Sequence, residues 1–341
     1  MTSLNQFAAD VLPAIEADLR AILSLPEGSP PEFYTMMQYH MGWVDRSGKP
    51  AQSQGGKRIR PMLCLLVAAA QGGRIEHARP AAAAIELIHN FSLLHDDIQD
   101  QSPTRRSRDT VWAIWGSPQA INSGDSLFAL AHLAIPRLAP PDLPAEIQVD
   151  MLTTLDETSL ELTRGQHLDI SFETRAMVSV EEYMDMIRGK TAALISAAAE
   201  MGALAAGADE ATRSHYLEFG RNLGMAFQIE DDILDIWGAP EHTGKQAAID
   251  IYQRKKSLPV LFGLEKSKKL RKRYADPDDF GANDVEHIID ELEAVGARRY
   301  AEEQARHYSE LTAQHLEAAG PDVHLGGALL ELVEQLLRRD R

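Results

Sequence analysis

The chain has 341 residues, of which 44% are hydrophobic, enough for a sizeable core, and this excludes a disordered polypeptide. Its formal net charge of −17 argues against a general binder of nucleic acid or anionic membrane, so an anionic substrate would need local basic groups and metal. Alanine is abundant, aromatics make up only 6%, and alternating Val/Ile/Thr-rich runs are scarce, which predicts an all-α protein.

Helical periodicity runs from about Leu4 to Leu25 and breaks at Pro26-Glu27-Gly28-Ser29-Pro30-Pro31. A loop from Arg46 to Gly56, rich in Ser, Gly and Gln, leads into Lys57-Arg58-Ile59-Arg60-Pro61. Helices are expected over about 59–71, 75–101, 118–138 and 142–174. Ser179 and Glu182 have capping-box spacing at the start of the next, which reaches about Ala206 and is closed by Gly207. Asp209 caps a long helix that continues through Asp235 to Gly238. The segment 239–253 reads as loop or short helix, and helices follow over about 256–267, 283–318 and 324–339. With no internal repeat and no flexible linker, one helical domain over 1–341 is the expectation.

The start Met1-Thr2-Ser3-Leu4-Asn5 lacks a basic n-region and apolar h-region, and apolar runs such as Pro61–Ala70 fall short of the about 20 residues needed to cross a bilayer. The lone Cys64 permits no internal disulfide and sits in an apolar run, which assigns it to packing and suits a reducing compartment. A soluble cytoplasmic protein is expected.

Two segments carry chemistry. His95-Asp96-Asp97-Ile98-Gln99-Asp100 and Gln228-Ile229-Glu230-Asp231-Asp232-Ile233-Leu234-Asp235 both contain DDxxD inside apolar helical sequence. Carboxylates are costly there unless something positive neutralises them. Helical residues four apart share a face, so Asp96 points with Asp100 and Asp231 with Asp235. Two such faces aimed at one cavity would suit Mg²⁺, which takes a few carboxylates and fills its remaining positions with water and phosphate oxygens. The pattern predicts chemistry on a diphosphate.

Arg105-Arg106 follow the first motif closely, so carboxylate-bound metal and a guanidinium pair could clamp one diphosphate. Gly55-Gly56-Lys57-Arg58-Ile59-Arg60 supplies a second basic element, with glycines that allow close backbone approach at a helix entrance. Gly189-Lys190-Thr191 and Gly244-Lys245 are not P-loops: Met184 and Ala239 stand where the required earlier glycine belongs, and the context is helical. His89 and His95 lack zinc-site spacing, and Trp112, Trp115 and Trp237 read as packing residues.

Taken together these residues resemble the trans-isoprenyl diphosphate synthase (polyprenyl synthetase) family. The likeness rests on Gly56-Lys57-Arg58-Ile59-Arg60-Pro61, on Leu93-Leu94-His95-Asp96-Asp97-Ile98-Gln99-Asp100 with Arg105-Arg106, and on Gly165-Gln166-His167-Leu168-Asp169. It continues through Gly189-Lys190-Thr191, Phe227–Asp235, Gly244-Lys245 and Lys255-Lys256-Ser257-Leu258-Pro259, in family order across about 50–265. The resemblance implies an antiparallel helical bundle of the isoprenoid synthase fold around a deep central cavity, as a homodimer. It implies a prenyltransferase that joins isopentenyl diphosphate to an allylic diphosphate (dimethylallyl, geranyl or farnesyl) and releases diphosphate.

Carried over by position, Asp96, Asp100 and Asp231 would ligate about three Mg²⁺ ions, with Asp97, Asp232 and Asp235 as direct or water-mediated supports. Arg105, Lys190, Lys245 and Lys255 would grip the allylic diphosphate, and Lys57, Arg60, His89 and Arg106 isopentenyl diphosphate. Thr191, Gln166, Asp169 and Gln228 would line the reacting zone. Ser107 and Arg254 stand where the family often has glycine, and Trp112 where histidine is frequent, which puts local loop geometry and substrate preference in question. Phe91 precedes Asp96 by roughly 7.5 Å of helix and could floor the product channel, with Ser92 leaving space beside it, as in synthases making geranylgeranyl diphosphate. Farnesyl or longer products, a class I terpene cyclase and a regulatory subunit are the competing readings. The second diphosphate site argues against the cyclase, and the complete set of charged residues against the subunit.

Overall fold

The computed structural model describes residues 3–51, 56–238, 248–276 and 280–337 and is helical almost throughout. Ser3 caps α1 (Leu4–Ile22) by accepting the Gln6 N–H at 3.3 Å, and Leu4, Phe7, Val11, Ile15 and Leu19 recur at helical spacing on its buried face. Proline opens α2 (Pro31–His40) where its missing N–H costs nothing, and α3 (Ile59–Ala70) and α4 (Ile75–Gln99) follow. β1 (Thr104–Arg105) pairs with β2 (Arg108–Asp109) in a hairpin whose two turn residues, Arg106 and Ser107, have φ of 51° and 60°. Positive φ at both turn positions matches the right-handed twist of the strands, as in a type I′ turn.

After the hairpin come α5 (Val111–Trp115), α6 (Ser117–Leu138), α7 (Ala145–Thr174) and α8 (Val180–Ile187). A π-helical turn, Arg188–Ala192, links α8 to α9 (Ala193–Ala205). The remaining helices are α10 (Glu210–Trp237), α11 (Ile249–Tyr252), α12 (Leu258–Lys266), α13 (Lys268–Ala275), α14 (Ala282–Ala294), α15 (Ala297–Ala319) and α16 (Val323–Leu337).

The all-α expectation holds, with local differences. α2, α5, α13 and the hairpin are too short to show periodicity in sequence. The helix expected to run from Ser179 to Ala206 is broken by the π turn. The one expected over 283–318 is divided at Gly296, whose φ of 79° ends α14 in the left-handed region.

Proximity along the backbone divides the chain into two compact units. The first comprises Met1–Ser159, Ala197–Ser214 and Gly320–Leu329. In it α4 packs on α3 and α6, and buried Ala81, Ala82, Ala83 and Ala84 let the helices approach closely. A Cβ at Gly202 would stand 2.3 Å from the Cys64 carbonyl oxygen, so the helices touch backbone to backbone there. Asp18 in this unit accepts two bonds from Arg79 at 2.5 and 2.7 Å, a paired buried carboxylate. The second unit comprises Leu160–Ser196, His215–Ala319 and Leu330–Arg341. Its core gathers Phe172, Met186, Ile187, Met225, Ile229, Ile233, Leu258, Leu261 and Leu292. The divisions at Ser159, Ser196, Ser214 and Leu329 fall inside α7, α9, α10 and α16 rather than in linkers.

Candidate active site

In the first unit, α4 delivers the first acidic motif. Asp96 is half-buried, Asp100 at the helix C-cap is exposed, and Asp97 is 1% exposed. Asp97 Oδ1 accepts a 2.7 Å hydrogen bond from Arg105 Nε on β1, while its Oδ2 is buried without a hydrogen-bond partner. Burial raises the Asp97 carboxyl above its ordinary range, against the pull of Arg105. The motif is therefore divided in its burial: Asp97 anchors the hairpin arginine, while Asp96 is half-buried and Asp100 exposed.

The hairpin is fastened to α2. Arg108 donates to the Tyr39 and Val44 carbonyls at 3.1 and 2.9 Å and lies 3.9 Å over the Tyr39 ring, and the Tyr39 hydroxyl donates to the Asp109 carbonyl at 2.8 Å. These bonds fix where Arg105 and Arg106 are presented. A Cβ at Gly56 would lie 2.9 Å from Arg106 Nη2, so the glycine admits the guanidinium against the backbone. Arg60 Nη1 donates to His89 Nε2 at 3.3 Å, and buried Arg58 pairs with Glu86 at 2.7 Å and Glu16 at 3.3 Å. Arg58 is thus a structural cation, whereas Lys57 beside it is exposed. Burial and the arginines Arg60, Arg106 and Arg105 hold His89 well below the ordinary histidine range, as a neutral ring.

His40, at the end of α2, was not among the residues expected from sequence. Burial, followed by Arg105, Arg106, Arg58 and Arg108, pushes it down to about 3, and its Nε2 is shielded without a hydrogen-bond partner. No local motif marks it; only the fold brings α2 under the hairpin.

In the second unit the other acidic motif lies on α10. Asp232 is buried and held on both oxygens: Gln228 Nε2 donates to Oδ1 at 3.0 Å, and the Leu258 N–H at 3.0 Å and the Tyr183 hydroxyl donate to Oδ2. Burial pushes Asp232 up to about 7, opposed by Lys255. Asp231 is half-buried and Asp235 is buried. Thr191 donates to Gln228 Oε1 at 2.8 Å, so the Gln228 amide is oriented from both ends.

The π turn sets Lys190 and Thr191 side by side. A Cβ at Gly165 on α7 would fall 2.2 Å from the Lys190 nitrogen, and one at Gly224 on α10 would fall 2.5 Å from the Ala192 Cα. Glycines on both helices therefore clasp the turn, a distortion common at functional sites. Lys190 Nζ pairs with Asp169 at 2.5 Å, and the buried Gln166 lies one helical turn before that aspartate on α7. Lys255 lies 3.7 Å from Asp250. Burial pulls its ammonium down, but Asp250, Asp232, Asp169 and Asp235 outweigh this and hold it above its usual range. Tyr183 and Asp250 are further residues that sequence reading missed, since neither stands in a motif. Lys245 lies outside the described residues.

Phe91 is 9% exposed and packs edge-on against His95 at 4.8 Å and Phe128 of α6 at 5.2 Å. Ser92 donates back to the His89 carbonyl at 2.9 Å. The three departures also have physical accounts. Ser107 and Arg254 both adopt left-handed backbone, with φ of 60° and 54°, which is where glycine carries no steric cost. Arg254 is retained by donating to the Tyr274 carbonyl at 3.0 Å and by lying 3.9 Å over Phe280. Trp112 Nε1 donates to the Ser102 carbonyl at 2.8 Å, tying the segment before the hairpin.

A family model described as polyprenyl synthetase matches residues 42–292. The chain belongs to that family. It is 39% identical over 285 residues to (2E,6E)-farnesyl diphosphate synthase of Mycobacterium tuberculosis (strain ATCC 25618 / H37Rv), covering 82% of this chain and 78% of the relative. It is 37% identical over 345 residues to geranylgeranyl diphosphate synthase of the same strain, covering 99% and 93%. The crystal structure of polyprenyl synthetase from Streptomyces coelicolor A3(2) superposes with a TM-score of 0.87 at 36% identity, covering 98% of both chains. This polyprenyl synthetase is a trans-prenyltransferase, and its substrates are isoprenoid diphosphates.

Polyprenyl synthetases use Mg²⁺. Among the described residues no group of three or more His, Cys, Asp or Glu side chains is gathered as a metal site. Carboxylates spread in ones and twos along DDxxD fit Mg²⁺, which binds through one or two carboxylates and keeps positions for water and substrate phosphate. No helix among the described residues is long and apolar enough to cross a membrane.

Proposed function

We propose that this chain condenses isopentenyl diphosphate head-to-tail with dimethylallyl, geranyl and farnesyl diphosphates and stops at all-trans geranylgeranyl diphosphate. The observation that carries the product assignment is Phe91, whose ring is braced by Phe128 and His95 rather than standing alone. A braced ring resists displacement by a growing chain better than an unsupported one. The relative matched over 99% of this chain is a geranylgeranyl diphosphate synthase, which supports the same product. The farnesyl diphosphate synthase at 39% identity supports the shorter alternative.

Asp96 and Asp100 on the first motif and Asp231 and Asp235 on the second would hold Mg²⁺, which when bound neutralises charge gathering on the departing diphosphate. Arg105, Lys190, Lys255 and Lys245 grip the allylic diphosphate, and Asp97, Asp169 and Asp250 hold the first three in place. Asp232 fixes Gln228. Lys57, Arg60, His89 and Arg106 bind isopentenyl diphosphate, with His89 neutral so that Arg60 keeps the positive charge. Oxygen dipoles of Thr191 and Gln228 stabilise the allylic cation without trapping it covalently, and Gln166 lines the same zone. Attack by the alkene is then a matter of positioning, and the proton lost goes to the released diphosphate. No protein base is needed.

We also infer a homodimer in the cytoplasm. Exposed Ile121 and Leu133 on α6 and Val149 on α7 in the first unit are apolar surface that a second copy would cover. Sedimentation of the purified protein at twice the chain mass supports the dimer, and a monomer rejects it. Product identity is tested by mass analysis after incubation with isopentenyl diphosphate and each allylic primer: geranylgeranyl diphosphate from all three supports the assignment, and farnesyl diphosphate as end product overturns it.

A further inference from the structure

His40 Nε2 and Asp97 Oδ2 are both buried, both lack a hydrogen-bond partner, and both belong to residues lining one cavity of about 30 Å³ in the first unit. Tyr39, Arg105, Arg106, Arg108, Asp109 and Thr110 complete the polar part of its wall. Two buried, orphaned polar atoms beside one cavity are unusual, because an unpaired buried donor or acceptor carries its full desolvation cost. The space accommodates a water, which needs roughly 10–15 Å³ and two to four polar partners. Three arginines against two carboxylates, Asp97 and Asp109, leave the wall net positive, which disfavours a cation.

We propose that this cavity holds an ordered water that accepts from His40 Nε2–H and donates to Asp97 Oδ2, making His40 a positioning residue for Arg105. The reason is geometric. Asp97 Oδ1 holds Arg105 Nε at 2.7 Å, and a carboxylate tethered at one oxygen can swing about its own axis unless the other oxygen is also held. The water closes that freedom and so fixes the guanidinium carrier on β1. A neutral imidazole fits this position because it supplies one N–H donor and adds no fifth positive charge to Arg58, Arg105, Arg106 and Arg108. The inference about Arg105 rests on its proposed role in gripping the allylic diphosphate.

The test has two arms. A crystal structure of the wild-type protein is expected to show a water within about 3.2 Å of both His40 Nε2 and Asp97 Oδ2, and its absence overturns the proposal whatever the enzyme turns over. In kinetics, His40→Phe is expected to raise KM for the allylic diphosphate about tenfold, with KM for isopentenyl diphosphate within about twofold. His40→Gln, which can present an N–H near the same place, is expected to recover most of the loss. An unchanged allylic KM in His40→Phe, or equal impairment in both variants, contradicts the positioning role. If His40→Phe does not fold by circular dichroism, the water density and His40→Gln decide. A wild-type protein without prenyl transfer would instead refute the functional reading and leave the water to be judged by density alone.

Discussion

Thr191 donates a 2.8 Å hydrogen bond to Gln228 Oε1, and the other end of that amide is spent on Asp232. The contact joins the π turn to α10 and orients the Gln228 oxygen dipole between a hydroxyl and a carboxylate. Thr191→Val keeps the shape and removes the donor. It is expected to lower kcat by about tenfold or more with little change in either KM, since the dipole matters most as positive charge develops. Thr191→Ser is expected to stay close to wild type. Steady-state kinetics of the three proteins separate these outcomes, and an effect on KM alone would remove Thr191 from the reacting zone.

Phe91 bears on product length. Phe91→Ala deletes a ring packed on Phe128 and is expected to shift the product distribution toward chains longer than geranylgeranyl. The cavity also lowers stability, by about 3–5 kcal/mol for a buried ring. An unchanged product distribution by mass analysis would make Phe91 a packing residue only.

The two left-handed departures should respond with opposite sign. Ser107→Gly relieves positive φ at an exposed hairpin turn and is expected to raise stability by about 1 kcal/mol in denaturant unfolding. Arg254→Gly gains the same relief but loses the bond to the Tyr274 carbonyl and the stacking on Phe280, and no net gain is expected.

His40 gives a pH dependence whose sign follows from its downward shift. Its folded value of about 3 lies below the ordinary 6.5, so the unfolded chain takes up a proton first as pH falls. The stability linked to neutral His40 is complete above about pH 6.5 and is lost on acidification toward its folded value, by up to about 1.4 kcal/mol per pH unit. The groups facing it are Arg58, Arg105, Arg106 and Arg108 with His89, and Asp97 and Asp109 share its cavity wall. His40→Gln lacks this proton, so the stability difference between wild type and variant should shrink from pH 7 to pH 5. A constant difference across that range would contradict a buried neutral ring.

Cys64 offers a simple control on the core. Its thiol is fully buried and burial pushes it above its ordinary range, so a thiol reagent is expected to react only after unfolding. Rapid labelling of the folded protein would contradict the packing of α3.

Much of this was legible in the sequence because its signals are periodic or local. The long helices announce themselves by apolar spacing, Ser179 and Glu182 form the expected capping box, and the acidic motifs sit on α4 and α10 as read. What was not legible depends on contacts between distant segments. The π turn exists because Gly165 and Gly224 admit it from two other helices, which no local composition announces. His40 gains meaning only when Arg108 and Tyr39 bind the hairpin over the end of α2. Arg58 stands in the same basic run as Lys57 and Arg60, and only the fold shows that Glu86 and Glu16 occupy it.

The most direct measurement of the central claim is transfer of isotope from labelled isopentenyl diphosphate. With a geranyl or farnesyl diphosphate primer and Mg²⁺, the label is expected in a longer prenyl diphosphate, to disappear with chelator, and to be lost in Asp96→Ala and Asp231→Ala alike. A labelled product that forms without Mg²⁺, or a hydrocarbon made from the primer with no label in it, would contradict the account.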